Sequence, residues 1–424
     1  MSQAPLHPQD PLGPSLAITA LFAALCAVRL TTLADPYFDE VHYLPAAREM
    51  LAGGAYINRE HPLLGKTILA AGIALLGDNP LGWRIFPLLA GATALFASMR
   101  AMWHASLSRF ATIAFGILLA SGFMLLVQAR IAMLDIFMVA FLALAAWQFA
   151  AAMRKPEQGQ WRLAATGLFL GAAMAAKWNA VLLAMVPGIA FFLARLAAGR
   201  RRLFTSRRGI PVPGVSLVEA FVWLGLLPLA IYALSFWPAL YLADNPIRQG
   251  GLLAMHAEML ALHAQVLAPH AYQSTWPDWV TNTRAIWYFY EAPDGIQRGV
   301  LMLGNPLTML AGIPAIFWCV ASGFSQRNWA RLGVAIGYLV SLGLWFFAGK
   351  SVQFFHHYLV PQMFLLGALA LALDALWQAG YRKLVWLVLG GSCALFAWFY
   401  PILTAAPLAG PMSFLDYAWI PGWR

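Results

Sequence analysis

Long apolar runs, separated by short polar stretches, dominate the chain from residue 15 to residue 401. A helix rises about 1.5 Å per residue, so about 20 mostly apolar residues are needed to cross the hydrocarbon core of a bilayer. The runs predict eleven membrane-spanning helices, at residues 15–34, 81–101, 109–127, 131–151, 162–177, 179–197, 217–241, 300–322, 329–348, 356–377 and 383–401. A further apolar stretch at 66–77 is too short to span, and we predict that it lies at the membrane surface.

Composition agrees with this pattern, because 61% of the 424 residues are hydrophobic and only 10% are charged. Soluble domains carry about 25% charged residues, and a chain of this size has too little interior to bury so much apolar surface. The sequence therefore predicts an all-α polytopic membrane protein, a single integral membrane domain over residues 1–424 with surface helices in its outer loops. Cys26, Cys319 and Cys393 each lie inside an apolar run, so we expect neither a disulfide nor a thiolate metal site.

The formal charge of +10 comes from 27 Lys and Arg residues against 17 Asp and Glu residues. Basic residues gather in alternate loops, for example at Arg100, Arg154, Lys155 and Arg382. The positive-inside rule places such loops in the cytoplasm, together with the N-terminus. The charge is therefore a signal of membrane topology, and we predict the lipid bilayer rather than a nucleic acid as the partner.

Two long polar segments, residues 35–80 and 242–299, fall on the opposite, outer side of the membrane in this topology, as do residues 402–424. The inner loops are short and basic. Any chemistry is therefore expected in the two outer segments, and the first of them is the candidate catalytic loop.

Two adjacent carboxylates, Asp39 and Glu40, follow the first predicted span. Pro45 suits the first turn of a short helix and Gly53 suits its end, so the two acids lie just ahead of a helix at the membrane surface. One interpretation is that they include a catalytic base. The other is that Asp39 caps this helix and Glu40 interacts with its dipole, and these residues alone do not decide between the two.

Several ionisable residues lie at the outer ends of apolar runs, where burial of a charge costs about 2.5–3.5 kcal/mol on insertion scales and marks a candidate functional residue. Arg130 begins one span, and Asp135 lies about 7.5 Å deeper along the same helix at 1.5 Å per residue. Further cations are predicted on the outer face at Lys66, Lys177, Lys350, His356 and His357. For Lys66 the simpler alternative is a side chain that extends to the interface.

The second outer segment contains His256, His263 and His270 at equal seven-residue spacing. On one helix these side chains stand about 10.5 Å apart per step, whereas the ligands of one zinc ion lie about 2.0–2.1 Å from the metal. A continuous helix cannot bring them together, so no metal site is predicted. The aromatic stretch that follows His270 is typical of a membrane interface or, alternatively, of a platform for a sugar or peptide.

In series, these residues resemble the protein O-mannosyltransferases, polytopic glycosyltransferases of the GT-C type, and their bacterial members in particular. The resemblance rests on short matches in family order: Arg29, Pro36, Phe38-Asp39-Glu40-Val41-His42, His61-Pro62, Gly65-Lys66, Arg130, Leu134-Asp135, Lys177-Trp178, His270, Tyr272, Ser274, Trp276, Trp279, Gly304-Asn305-Pro306, His357-Tyr358 and Pro361. Leu63 departs from the pattern, because the family usually has a second proline there. The chain also has no room for the extra luminal domain of eukaryotic members.

The resemblance implies transfer of mannose from a polyprenyl-phosphate carrier to Ser or Thr hydroxyls of exported proteins, with inversion at the anomeric carbon. It implies a bacterial plasma membrane protein whose active site faces the periplasm, and no cofactor besides the lipid-linked donor. Asp39 fits the base that takes the hydroxyl proton, because an aspartate is already ionised at neutral pH, and Glu40 fits a residue that orients a partner or the sugar.

The leaving phosphate gains negative charge, so preorganised cations stabilise the transition state. Arg130 fits this role best. The other candidates for binding donor phosphate or sugar are His61, Lys66, Asp135, Lys177, Lys350 and His357. On the acceptor side the resemblance points to His270, Tyr272, Ser274 and Trp276.

Two other functions stay open at this point. The acceptor could be a lipid or polysaccharide, as for the aminoarabinose transferases of lipid A, which share this architecture. A secondary transporter is the more distant alternative, but such proteins tend to show repeated halves and broken helices with buried sites. Neither feature occurs in the sequence.

Overall fold

The computed structural model describes residues 8–198, 202–348 and 350–424, and most of these residues are helical. The first half contains helices α1 (Leu12–Ala27), α2 (Glu40–Ala52), α3 (Leu64–Leu76), α4 (Pro80–Ser106), α5 (Arg109–Ala120), α6 (Met124–Gln128), α7 (Leu134–Arg154), α8 (Gly159–Ala176) and α9 (Val181–Ala197). The second half contains α10 (Leu217–Phe221), α11 (Leu227–Leu234), α12 (Pro246–His263), α13 (Trp276–Val280), strands β1 (Ile286–Glu291) and β2 (Arg298–Met302), α14 (Pro306–Ser325), α15 (Trp329–Phe347), α16 (Leu359–Gln378) and α17 (Arg382–Leu403).

Each of the eleven predicted spans coincides with a helical segment. Among the described residues, eight helical segments are long and apolar enough to cross a membrane. The other three, α1, α5 and α8, contain 16, 12 and 18 residues. The polytopic architecture is thus confirmed, and a count of eleven crossings remains compatible with it. The short apolar stretch forms α3, a helix of 13 residues.

One part of the second outer segment differs from the all-helical prediction. Strands β1 and β2 pair in an antiparallel hairpin, with Ile286 opposite Met302 and Glu291 opposite Arg298. The predicted span 300–322 therefore begins later, at Pro306, where the Asn305 side chain accepts a hydrogen bond from the backbone of Leu307. An Asn cap followed by Pro is a strong helix start, whereas the apolar residues 300–302 are equally suited to a strand.

Small residues allow close packing between α8 and the span that contains α11. A Cβ atom at Gly167 would meet the carbonyl oxygen of Trp223, and one at Gly171 would meet the carbonyl oxygen of Pro228. Residues 222–226 form a π-helical turn opposite Gly167. The hydrophobic effect does not drive helices together inside a bilayer, so such close backbone packing is a main source of attraction between membrane helices.

The two ends of the described chain lie on opposite faces. Near the start, Asp10 forms an ion pair with Arg100, on the face where Arg154 bonds the end of α4. After α17, residues 404–424 pack on the β-hairpin: the Trp287 indole donates to the Trp423 carbonyl at 3.0 Å, and the Trp423 indole donates to the Asn282 carbonyl at 2.7 Å. Residues 404–424 thus share a face with the second outer segment.

The two outer segments contact each other directly. Arg59 pairs with Asp244 and Glu258 at 2.5 and 3.0 Å, and the Tyr56 backbone donates to Asp244 at 2.9 Å. A small apolar cluster lies beneath these bonds, separate from the main core between the helices, and consists of Tyr56, Leu63, Phe236, Ala239, Leu242, Met255 and Met259. The segments together therefore cover the outer end of the helix bundle.

Candidate functional site

Asp39 lies immediately before α2, at the outer end of the bundle. Its carboxylate accepts no hydrogen bond from the start of the helix, although it occupies the cap position. Among the described residues, no donor is bonded to this carboxylate, which is half-buried. The preceding Phe38 has φ +52°, a left-handed conformation that is rare for a bulky residue and is concentrated at functional sites. The capping interpretation of Asp39 therefore lacks its hydrogen bond.

Glu40 has a different environment from its neighbour. It is fully buried, and its two oxygens accept from Arg84 Nε at 2.9 Å and Arg84 Nη2 at 2.8 Å. The backbone of Ala132 also donates to Glu40, at 2.9 Å, so this carboxylate joins α2, α4 and the start of α7. Glu40 thus orients a protein partner, the Arg84 guanidinium, and its lone pairs are occupied.

Asp135 and Lys177 form a buried ion pair with 2.7 Å between Lys177 Nζ and Asp135 Oδ2. Asp135 lies in the first turn of α7, and Lys177 lies just after α8 in extended backbone with φ −159°. The break after α8 turns the lysine side chain toward α7. The structure therefore joins two residues that the sequence placed on separate spans.

The charges of this pair act on Asp39. Burial raises the pKa of the Asp39 carboxyl above its ordinary value of 3.8, and Lys177 offsets part of the rise. Lys350 is also near, since Lys177, Asp135 and Asp39 all act on its charge; burial lowers the pKa of Lys350. Among the described residues, no acceptor is hydrogen-bonded to the Lys350 ammonium. Near this ion pair the site therefore holds an acid and a cation that have no hydrogen-bond partner among the described residues.

Aromatic and histidine rings surround these charges. Phe38 stacks on Tyr288 of strand β1 with 3.9 Å between ring centroids, and its edge meets His356 at 5.9 Å. His356 and His357 are buried and adjacent, at 4.3 Å, and His357 stacks on Trp345 at 4.0 Å. A cavity of about 10 Å³ beside them is lined by Asp135 as well as both histidines.

His61 and Lys66 lie on the opposite side of the site. The His61 ring contacts Tyr43 at 5.8 Å and His263 at 5.6 Å, and burial lowers the pKa of His61. Lys66 is fully buried, and its ammonium donates to the carbonyls of Asn58 and His61 at 2.6 and 3.0 Å. Lys66 therefore holds the loop before α3, and the part it plays toward the donor stays a prediction.

Arg130 is not part of the charged cluster. Its guanidinium donates to the carbonyls of Cys26 and Val28, at the end of α1, and weakly to those of Arg29 and Thr404. These bonds satisfy carbonyls that a helix end leaves unpaired. Arg130 lies in the turn between α6 and α7, so it does not share a helix with Asp135 as the sequence predicted. The structure thus gives Arg130 a contact that ties this turn to α1, and its binding of phosphate remains a prediction.

The four predicted acceptor-side residues form a group at the outer surface. His270 is exposed, and its ring contacts Phe354 at 5.1 Å; Tyr272 lies next to it at 5.9 Å. Ser274 is buried and accepts from the Trp279 indole at 2.9 Å. Trp276 stacks on Phe346 at 4.2 Å. The group is connected to the site through Phe354, which stacks on His356 at 5.7 Å.

The three equally spaced histidines have separate neighbours. His256 and His263 are both on α12 and stack on the Trp178 indole at 5.8 and 5.6 Å, whereas His270 lies beyond the helix, against Phe354. Over residues 8–198, 202–348 and 350–424, no group of three or more potential metal ligands is found.

Two residues of the site were missed by the sequence argument. The sequence argument did not single out Arg84, which is the partner of Glu40, 44 positions away. Tyr288 lies in an unpredicted strand, and its hydroxyl accepts from Gln128 at 2.9 Å. A Glu that is buried needs a cation as its partner, so a basic residue near the outer end of another span could have been sought for it. No local pattern indicated Tyr288.

Two family models match the chain in succession. The model described as dolichyl-phosphate-mannose-protein mannosyltransferase matches residues 16–243, and the C-terminal four TMM region of protein-O-mannosyltransferase matches residues 249–423. The polyprenol-phosphate-mannose–protein mannosyltransferase of Mycolicibacterium smegmatis is 26% identical over 508 residues, covering 100% of this chain and 97% of the relative. The protein of the same name from Mycobacterium tuberculosis is 26% identical over 505 residues, covering 100% and 96%.

Solved structures show the same fold. The Saccharomyces cerevisiae protein O-mannosyltransferase Pmt1-Pmt2 complex bound to the sugar donor contains a chain that matches with a TM-score of 0.81 and 15% identity, over 100% of this chain and 96% of that chain. ArnT from Cupriavidus metallidurans bound to undecaprenyl phosphate matches with a TM-score of 0.62 and 16% identity, over 92% of this chain and 65% of that chain. The GT-C architecture implied by the resemblance is thus confirmed. Since one family model alone covers more than half of the chain, this protein belongs to the dolichyl-phosphate-mannose-protein mannosyltransferase family.

Proposed function

We propose that the protein transfers mannose from a polyprenyl-phosphate carrier to Ser or Thr hydroxyls of exported proteins, with inversion at the anomeric carbon. Membership of the family and the names of the bacterial relatives support this activity. The observation that carries it is the half-buried Asp39 carboxylate, which has no hydrogen-bond partner among the described residues and lies beside Lys177 and Lys350.

Asp39 acts as the base. The acceptor hydroxyl oxygen attacks the anomeric carbon of mannose as Asp39 takes the hydroxyl proton, so a new carbon–oxygen bond forms. The bond between the anomeric carbon and the phosphate oxygen breaks, and its electron pair stays on that oxygen. A carboxylate without a donor is a stronger proton acceptor than one held by hydrogen bonds, because such bonds stabilise its charged form.

Lys350 and Lys177 stabilise the leaving phosphate. Lys350 has no acceptor bonded to its ammonium among the described residues, so the donor phosphate can take that place. Lys177 is fixed by Asp135 at 2.7 Å and supplies a second, oriented positive charge. Preorganised cations in a site with little water are worth more than the same charges in solvent, since they need not reorganise during the reaction.

We propose that these side-chain cations take the place of a metal ion, so that the reaction needs no cofactor besides the lipid-linked donor. Transfer should then continue at an unchanged rate in excess EDTA. A rate that falls with EDTA and returns with added divalent cation would contradict this part of the proposal.

The enzyme lies in the plasma membrane with its site at the outer face, as the basic inner loops and the bacterial relatives favour. The acceptor protein approaches over the exposed His270 and the half-buried Tyr272. Phe354 then leads inward from His270 to His356, next to the ring of Phe38. The donor enters from the membrane, since its polyprenyl tail is apolar.

The decisive experiment offers purified protein a polyprenyl-phosphate mannose with or without a Ser/Thr-rich peptide. We expect peptide that is heavier by one mannose, with opposite anomeric configuration to the donor, and free polyprenyl phosphate in equal amount. A lipid acceptor offered in parallel tests the alternative. Glycosylation of the lipid and not of the peptide would overturn the proposed acceptor class.

A further inference from the structure

A chain of three hydrogen-bonded side chains connects α12 of the second outer segment to the residue after Lys177. The Trp178 indole donates to the Tyr232 hydroxyl at 2.7 Å, and the Tyr232 hydroxyl is 2.7 Å from His256 Nε2. His256 Nδ1 is in turn 2.6 Å from the carbonyl of Leu252, one helical turn earlier.

The direction of these bonds follows from their ends. A carbonyl only accepts, so His256 Nδ1 carries the hydrogen that is donated to Leu252. In the neutral ring, Nε2 is then the acceptor, and the Tyr232 hydroxyl donates to it while accepting from the Trp178 indole. Every donor in the series has one acceptor, and the plane of the indole is fixed as a result.

Ring stacking holds the same indole from α12. His256 stacks on it at 5.8 Å with 24° between planes, and His263 does so at 5.6 Å with 29°. Positions seven apart lie two turns apart on one face of a helix, so both rings reach one long indole. The equal histidine spacing therefore has a structural use that is unrelated to a metal ion.

Trp178 follows Lys177 directly, and the two residues form the connection between two helical segments. Lys177 is extended, with φ −159° and ψ 138°, between the end of α8 and the short 3-10 turn Trp178–Ala180. An indole that is held by a hydrogen bond and by two stacked rings anchors the Cα of Trp178, and one peptide unit joins that Cα to the Cα of Lys177. Lys177 Nζ, which pairs with Asp135, depends on that Cα for its position.

We propose that Tyr232 and His256 are positioning residues for the donor: by fixing Trp178, they hold the Lys177 ammonium where the phosphate of the polyprenyl-phosphate carrier binds. The inference rests on the proposed function, because that function assigns Lys177 to the phosphate. It adds that docking of α12, and hence the arrangement of the second outer segment, is coupled to donor affinity.

The test measures binding of polyprenyl phosphate, without sugar, to purified full-length variants. Tyr232→Phe removes only the hydroxyl that links Trp178 to His256, and we expect about tenfold weaker binding, with a donor KM raised to match and an acceptor KM unchanged. His256→Gln keeps a side-chain acceptor near the hydroxyl and should lose less than His256→Phe. Tyr241→Phe is the matched control, because Tyr241 is exposed nearby and takes no part in the series.

The double variant with Lys177→Gln tests whether Tyr232 acts on donor binding through Lys177. The amide keeps a hydrogen bond to Asp135 but removes the cation, so adding Tyr232→Phe to it should weaken polyprenyl phosphate binding no further. The inference would be overturned if Tyr232→Phe weakened polyprenyl phosphate binding equally in the wild-type and the Lys177→Gln protein. It would also be overturned if Tyr232→Phe alone bound polyprenyl phosphate with wild-type affinity. A wild-type protein that binds polyprenyl phosphate but transfers no mannose would instead contradict the proposed function alone.

Discussion

Asp39 and Glu40 are adjacent in the chain, yet their carboxylates differ in burial and in hydrogen bonding. Glu40 is buried and receives three hydrogen bonds from Arg84 and Ala132. Asp39 is half-buried, next to Lys177 and Lys350, with no hydrogen bond to its carboxylate among the described residues. A carboxylate whose oxygens are occupied by hydrogen bonds stabilises the structure, whereas one without such bonds can accept a proton.

Replacing Asp39 with Asn separates these roles. The amide cannot accept the hydroxyl proton, so we expect the transfer rate of Asp39→Asn to fall about 10²–10⁴-fold, typical of a lost general base. Binding of polyprenyl phosphate and Tm should remain near the wild-type values, because no described bond depends on this side chain. Turnover close to that of the wild type would remove Asp39 from the catalytic role.

The pH dependence of transfer reports the same group. Burial raises the pKa of Asp39 above 3.8, so its active, ionised form is lost at a higher pH than for an exposed aspartate. We expect kcat/KM to fall as the pH decreases through this raised pKa and to level off above it. Initial rates between about pH 4 and pH 8 test this. Rates that stay constant down to about pH 5 and fall only near the ordinary value of 3.8 would indicate an unburied base.

Replacement of Glu40 should mainly lower the stability of the fold. Glu40→Gln leaves the buried Arg84 guanidinium without its counter-charge, and breaking a buried pair from one side costs about 3–5 kcal/mol. A marked drop in Tm in detergent is the expected result. Glu258→Gln, which breaks a half-exposed pair with Arg59, is the matched control and should cost less than about 1 kcal/mol. An equal loss of stability in Glu40→Gln and Glu258→Gln would mean that burial does not determine how much the Glu40–Arg84 pair contributes.

Single residues at the site could be predicted from the sequence only where their neighbours in the chain made them unusual. Asp39, Asp135 and Lys177 were identifiable because a charge at the end of an apolar run is costly and calls for a reason. The pairing of Asp135 with Lys177 was not identifiable, since it depends on the packing of α7 against α8. The carbonyl partners of Arg130 were hidden for the same reason.

At the scale of elements, the apolar helices could be predicted from the sequence, whereas the start of α14 and the non-helical pieces could not. Asn79 with Pro80, and Asn305 with Pro306, cap α4 and α14 through their side chains. The β-hairpin lacks an equivalent signal, because its apolar strand residues continue into the next apolar run. The break inside α12 at Gly251, with φ +72°, required the folded backbone to be recognised.

Contact between α8 and the π-helical span depends on Gly167. Gly167→Ala places a methyl group against the backbone oxygen of Trp223, so the two helices must separate. Overpacking of this kind costs about 1–3 kcal/mol, and we expect a lower Tm together with weaker donor use, because α8 ends at Lys177. Gly188→Ala on the neighbouring α9 is the control, since its nearest neighbour would be 3.9 Å away. A wild-type Tm for Gly167→Ala would contradict the packing argument.

For the whole molecule, the main prediction is that residues 35–80, 242–299 and 404–424 share the outer side of the membrane. Cysteines introduced by Ala55→Cys and Gly410→Cys should both react with an impermeant thiol reagent in intact cells. Glu157→Cys, between α7 and α8, should react only after the membrane is permeabilised. Labelling of only one of the first two would mean that the number of crossings between them is odd, whereas two positions on the same side need an even number.

Packing of residues 404–424 on the β-hairpin also bears on the biogenesis of the enzyme. These residues are synthesised after every apolar helix from α1 to α17, and they must be translocated before Trp423 can bond to Asn282 and Trp287. Until then the hairpin that carries Tyr288 lacks its support, and Phe38 lacks the ring on which it stacks. In this order of synthesis, a nascent chain acquires its membrane helices first, and the hairpin beside Phe38 gains its last contacts afterwards.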